Sequence, residues 1–134
     1  MTRSGVLLLL CWVACGCSDD PGYKVPKGVI VAGKVLKGGQ PLAVPRADVG
    51  FGMIEVALVP ENASIGPRET ATASSDGSFE VLGMGKGVPP GRYKLAIFQR
   101  DKGVDSDALE GAFSDEKTPI SVDVTKDKLG GKLD

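Results

Sequence analysis

From Gly28 onward the apolar residues of this chain recur at alternate positions, and Gly, Pro, Asn or Asp interrupts each run before it reaches the length of a helix. A period of two turns one side of an extended strand toward a core and the other toward water, whereas a helix needs its apolar residues three and four apart. The spacing therefore predicts an all-β domain of short strands. Val29, Val31, Gly33 and Val35 alternate with Ile30, Ala32, Lys34 and Leu36, and the tight turn of residues 37–41 ends the run. Residues 54–59 give a second strand with Ile54, Val56 and Leu58 inward, closed by Pro60, Glu61 and Asn62. Residues 70–74 and 78–82 flank Ser75-Asp76-Gly77, which reads as the clearest hairpin in the chain.

Pro89-Pro90-Gly91 leads into residues 92–98, where Tyr93, Leu95 and Ile97 form the inward set. A tyrosine just after such a corner buries its ring while its hydroxyl bonds a backbone group across the bend. Residues 120–124 make another strand, and Lys132, Leu133 and Asp134 begin a last one. The runs amount to seven strands, with six to eight as the range, which suits a β-sandwich. Two facing layers about 10 Å apart let the inward Val, Ile and Leu sets bury one another without a crosslink.

The 134 residues are enough for one domain. Sixteen basic against 17 acidic side chains leave no basic surface for nucleic acid. Histidine is absent, which excludes a His-ligated zinc, a Ser-His-Asp or Cys-His relay and any imidazole proton shuttle. The chain is therefore expected to be no enzyme and to need no cofactor.

Ahead of this domain, Arg3 precedes the apolar run of residues 6–14, which meets Gly16, Ser18, Asp19 and Asp20 almost at once. A membrane-spanning helix needs about 20 apolar residues. The run is about half that, so it reads as a signal helix removed on export. All three cysteines, Cys11, Cys15 and Cys17, lie in this segment, so none is left to crosslink the domain. Val13-Ala14-Cys15-Gly16-Cys17 resembles the lipobox of bacterial lipoproteins, in which a small residue precedes a cysteine that is acylated and becomes the first residue of the mature chain. The resemblance implies Cys17 as the lipidated residue, with Cys15 as the alternative, because Gly16 is small and a polar segment follows directly. It divides the chain into a signal peptide of residues 1–16, a flexible tether of residues 17–27 and a domain of residues 28–134. Each buried methylene contributes about 0.8 kcal/mol, so two or three acyl chains of palmitate length hold a domain on a bilayer without a spanning helix. Export and anchoring to a bacterial membrane, facing the periplasm or the cell surface, are the expected location. A redox or metal use of Cys15 and Cys17 would need partner ligands that the sequence does not offer.

Four segments carry a second resemblance: Val31-Ala32-Gly33-Lys34-Val35 with Gly39-Gln40-Pro41-Leu42; Val56-Ala57-Leu58-Val59-Pro60; Ser75-Asp76-Gly77-Ser78-Phe79-Glu80; and Lys86-Gly87-Val88-Pro89-Pro90-Gly91-Arg92-Tyr93-Lys94. In order and spacing they resemble the carboxypeptidase regulatory-like, or transthyretin-like, domain as it occurs in small planctomycete lipoproteins. Residues 111–114 and 118–120 are similar to that group as well. The resemblance implies a Greek-key β-sandwich of transthyretin (prealbumin) type, non-catalytic, on the cell envelope, with no shared ligand to carry over. Residues 43–52 depart from it as a longer link between the first two strands.

Candidate sites are few. Gly83-Met84-Gly85-Lys86-Gly87 could pass for a phosphate cradle, but Val88-Pro89-Pro90 follows where a helix would have to start, so it reads as a strand connection. Asn62-Ala63-Ser64 has the form of a glycosylation acceptor, which a bacterial export signal makes irrelevant. The stretch from Asp101 to Lys117 carries six carboxylates against Lys102 and Lys117. It reads first as a solvated loop. The alternative is a Ca²⁺-binding envelope protein with Asp105, Asp107 and Glu110 as metal ligands, although the order of a recognisable calcium loop is missing. A hydrolase built on the same acids ranks last, because nothing places two of them across a cleft. Phe51 and Phe113, both in expected loops, are the aromatic residues available to anchor an envelope protein or polysaccharide partner.

Overall fold

The computed structural model describes residues 27–128 and 132–133. Its elements are strands β1 (Ile30–Lys34), β2 (Leu36–Lys37), β3 (Gln40–Pro41), β4 (Met53–Pro60), β5 (Glu69–Thr72), β6 (Ser78–Val81), β7 (Gly91–Arg100), β8 (Ser121–Val124) and β9 (Lys132–Leu133), with single 3-10 turns at Ala47–Val49 and Lys126–Lys128. The domain is all-β. Each of the seven runs read from the sequence contains a strand, and the nine strands among the described residues exceed the expected range through β2 and β3. Leu36 and Lys37 turn back on Pro41 and Gln40 through Gly38 (φ 59°) and Gly39 (φ 79°). Two successive residues in the left-handed region match the twist of a tight hairpin, and glycine takes that conformation without a Cβ clash.

The strands form a three-stranded sheet in the order β6-β1-β9, a four-stranded sheet in the order β5-β4-β7-β8, and the small β2-β3 ribbon. Every pairing is antiparallel except β1 with β9. The longest ladder joins β4 and β7, from Met53 opposite Arg100 to Pro60 opposite Tyr93. Alternation delivers the expected core: Ile54, Val56 and Leu58 of β4 pack with Val29, Val31, Val35, Phe79, Val81, Val88, Tyr93 and Val124, while Leu95 and Ile97 are partly buried against them. Tyr93 is fully buried and its hydroxyl donates to the Pro89 carbonyl at 2.7 Å, the corner bond its position predicts.

One sequence expectation is corrected. Residues 74–77 make the expected tight turn, with Gly77 N donating to Ser74 O at 2.9 Å and Ser74 N to Ser78 O at 2.8 Å, yet the flanking strands are not a hairpin. β5 pairs with β4 in one sheet and β6 with β1 in the other, so the turn carries the chain across the core. Gly77 permits this at φ 83°, and a Cβ there would stand 2.7 Å from the Val35 carbonyl oxygen.

The pairings give the domain two ends. At the first, Lys27 enters beside residues 82–87, Gly28 N donates to Lys86 O at 2.7 Å, and Val29 bridges Val88. At the far end lie the β2-β3 ribbon, residues 43–52 leading into β4, and residues 101–117 leaving β7.

Candidate functional site

Three exposed apolar residues of the far end, Val49, Phe51 and Met53, stand close together in sequence, and a fourth, Val104, follows the β7 end that pairs with Met53. Residues 43–52 reach β4 through the 3-10 turn, and the Gln99 side chain holds them by donating to Ala43 O at 2.8 Å. Val49 is 48% exposed, Phe51 67%, Met53 36% and, four residues beyond Arg100, Val104 69%. Apolar side chains grouped in this way at one end of a small domain mark an interaction surface more often than scattered ones do.

Behind this rim, on the outward face of the four-stranded sheet, a chain of charges crosses an aromatic ring. Glu55 lies opposite Phe98 in register, next to Met53 and Arg100. The Arg100 guanidinium sits 4.3 Å from the Phe98 ring centre and that of Arg68 5.8 Å from it. Cation–ring contacts of this kind favour arginine, whose planar group stacks. Arg100 reaches Glu55 at 3.4 Å and donates to Ser106 O at 3.1 Å, while its Nε has no hydrogen-bond partner among the described residues. Arg68 donates to Glu55 at 3.3 Å and grips Asp115 with two bonds, 2.9 and 3.2 Å long. Burial opposes the Arg68 charge, but Asp115 and Glu55 outweigh it and raise its pKa above the ordinary arginine value. Two guanidinium groups are thus held against two carboxylates beside one aromatic ring.

The residues singled out from the sequence divide. Phe51 stands exposed on the rim. Phe113 is half-buried: Ile97 N donates to its carbonyl at 3.0 Å, which draws the segment onto β7, and its side chain lines a cavity of about 260 Å³ with Val35, Leu42, Ile97 and Leu109. It closes the far end of the core.

Asp105 and Glu110 are exposed, whereas the Asp107 carboxylate is turned onto backbone, accepting from Gln99 N at 2.9 Å, Leu109 N at 3.1 Å and Gly111 N at 2.9 Å. Among the described residues no three Asp, Glu, His or Cys side chains stand together as a metal would require. Residues 83–86 form turns that connect β6 to the Val88 bridge, with no helix after them. The signal helix, the tether before Lys27 and the cysteines Cys15 and Cys17 lie outside the described residues.

Sequence reasoning missed the Glu55, Arg68, Phe98 and Arg100 cluster. A signal was present: Phe98 falls on the outward parity of β7 with Arg92, Lys94 and Arg100, and an aromatic residue on a charged face calls for a partner. No family model, curated protein or solved structure matches the chain.

Proposed function

We propose that this chain is a lipid-anchored, non-catalytic β-sandwich module of the bacterial envelope, with the Greek-key transthyretin-like arrangement of carboxypeptidase regulatory-like domains, and that it presents its far end to a protein partner. One observation carries the reading. The exposed residues Val49, Phe51, Met53 and Val104 lie toward the end opposite Lys27, where the segment bearing the acylated cysteine joins, so an anchored domain standing upright would hold them away from the bilayer. Aliphatic neighbours around a single exposed phenylalanine favour a protein surface over a sugar, which stacks on flat aromatic platforms.

Two measurements test it. Metabolic labelling with an alkyne fatty acid should mark the wild-type chain and fail on the Cys15→Ala, Cys17→Ala double variant; label on the double variant, or none on the wild type, refutes the anchor. Cross-linked pulldown from the envelope should capture a protein that Phe51→Asp loses. Capture indifferent to that substitution, or of polysaccharide alone, refutes the binding surface.

A further inference from the structure

The end at which Lys27 enters carries its own exposed apolar residues. Leu82 is 47% exposed and Met84 81%, and they stand on residues 82–87, the loop that follows β6. The loop is closed on itself: Gly85 N and Gly87 N both donate to Leu82 O, at 3.0 and 2.9 Å, and Lys86 N donates to Gly83 O at 3.1 Å. Gly28 N then donates to Lys86 O at 2.7 Å, tying the loop to the residue directly after Lys27. Met84 has φ 54°, in the left-handed region that a residue with a Cβ rarely adopts, so its thioether is held out into solvent at a conformational cost glycine would avoid.

Charge at this end complements an anionic surface. Lys27, Lys86, Lys126 and Lys128 are exposed there against Glu61 and Asp127, Arg92 and Asp123 pair with each other, and Glu69 lines the same groove as Lys27, Met84 and Lys86. Among the described residues this end thus carries a small excess of positive charge although the whole chain carries a net charge of -1. Lys27 is the tenth residue after Cys17. Even fully extended, ten residues reach about 35 Å, so an acylated cysteine keeps the end at Lys27 within that distance of the bilayer.

We propose that Leu82 and Met84 insert into the membrane interface, with Lys27 and Lys86 against anionic headgroups, so that the anchored domain docks on the bilayer instead of swinging freely from it. Apolar side chains flanked by lysines bind in this way about 5–10 Å into the headgroup boundary. The proposal rests on the lipid anchor, and its test separates the two.

The full chain, produced in a lipoprotein-processing bacterium, is reconstituted into vesicles of phosphatidylethanolamine and phosphatidylglycerol with brominated acyl chains. Met84→Trp places a fluorophore on the loop. Val104→Trp places one at the far end, about 30 Å away along β7. The unsubstituted chain, whose one tryptophan, Trp12, leaves with the signal helix when the chain is processed, supplies the background. Docking predicts that both variants float with the vesicles and that Met84→Trp alone loses about half its emission, as a side chain at that interfacial depth should. Flotation with neither or both quenched overturns docking and leaves the anchor standing. Protein remaining at the bottom of the gradient overturns the anchor, and the docking falls with it.

Discussion

Replacing Tyr93 with phenylalanine removes one oxygen and leaves the core filled, which makes it the cleanest probe of how this fold is held. The ring is inaccessible to solvent and the hydroxyl donates to Pro89 O at 2.7 Å. A neutral hydrogen bond contributes about 1 kcal/mol net, and the Pro89 carbonyl left without its donor adds to the loss, so Tyr93→Phe should destabilise the domain by about 1–2 kcal/mol at pH 8. The effect must shrink as pH rises. Burial, aided by the negative charge of Glu69, pushes the Tyr93 pKa up to about 12, against 10.0 for an exposed tyrosine. Below pH 10 both folded and unfolded chains hold the proton, and the stabilisation is fully present. Between pH 10 and 12 the unfolded chain has released it while the folded chain keeps it, so stability falls with pH.

Two pH units correspond to about 2.7 kcal/mol, of which roughly 2 kcal/mol is the expected loss by pH 11.5, below the folded pKa. The Tyr93→Phe variant has no such dependence. Urea denaturation followed by far-ultraviolet circular dichroism at pH 8, 10 and 11.5 should therefore give two stability curves that converge with rising pH. Lysine titration affects both chains alike and cancels in the difference. A constant gap across this range, or no gap at pH 8, would refute the assignment of the corner bond.

Asp107→Ala should release the three backbone N–H groups of Gln99, Leu109 and Gly111, destabilise the domain by roughly 1–3 kcal/mol, and open residues 101–117 to limited proteolysis, read by mass spectrometry. Gly77→Ala meets both a φ of 83° and the Val35 carbonyl at 2.7 Å, whereas Gly38→Ala meets only its φ of 59° and open space. Thermal denaturation should thus show Gly77→Ala costing more than about 2 kcal/mol and Gly38→Ala about 1 kcal/mol; equal effects would contradict the turn's place across the core.

Strand positions were legible in the sequence because burial on one face imposes a period of two, and Ile54, Val56 and Leu58 carry it without interruption. Ala57 and Ala96 were not. They face each other on the outward parity and yet are wholly buried, since a methyl group is covered by any longer neighbour and its own identity carries no signal. The 74–77 turn was legible as a chain reversal, because Asp76 accepts from Ser78 N at 3.0 Å and from its hydroxyl at 2.6 Å within two residues of sequence. Its outcome was not, because which sheet each arm joins is decided by β1 and β4, far away in the chain. At the candidate site Phe51 could be read from its loop, whereas the Arg68 and Asp115 contact spans 47 positions and leaves no local trace.

The acidic insert shows most clearly why composition misleads here. β7 is ten residues long, but β8 pairs only with Gly91 to Lys94, so the rest of that edge has to find other partners. The insert and the residues after it supply them. Leu95 N donates to Ile120 O and Ile97 N to Phe113 O, Ala108 N donates to Gln99 O, Asp107 takes Gln99 N, and the Thr118 hydroxyl donates to Leu95 O. An open edge of this length would invite another chain to pair with it, and an irregular segment with a carboxylate in place of a backbone carbonyl closes it without offering a new strand. Of the carboxylates that look solvated in sequence, Asp105, Glu110 and Glu116 are exposed, whereas Asp107 completes the edge and Asp115 holds Arg68 over Phe98. With that edge closed, recognition at the far end falls to side chains, and the same insert that closes it exposes Val104 at the end that carries Phe51.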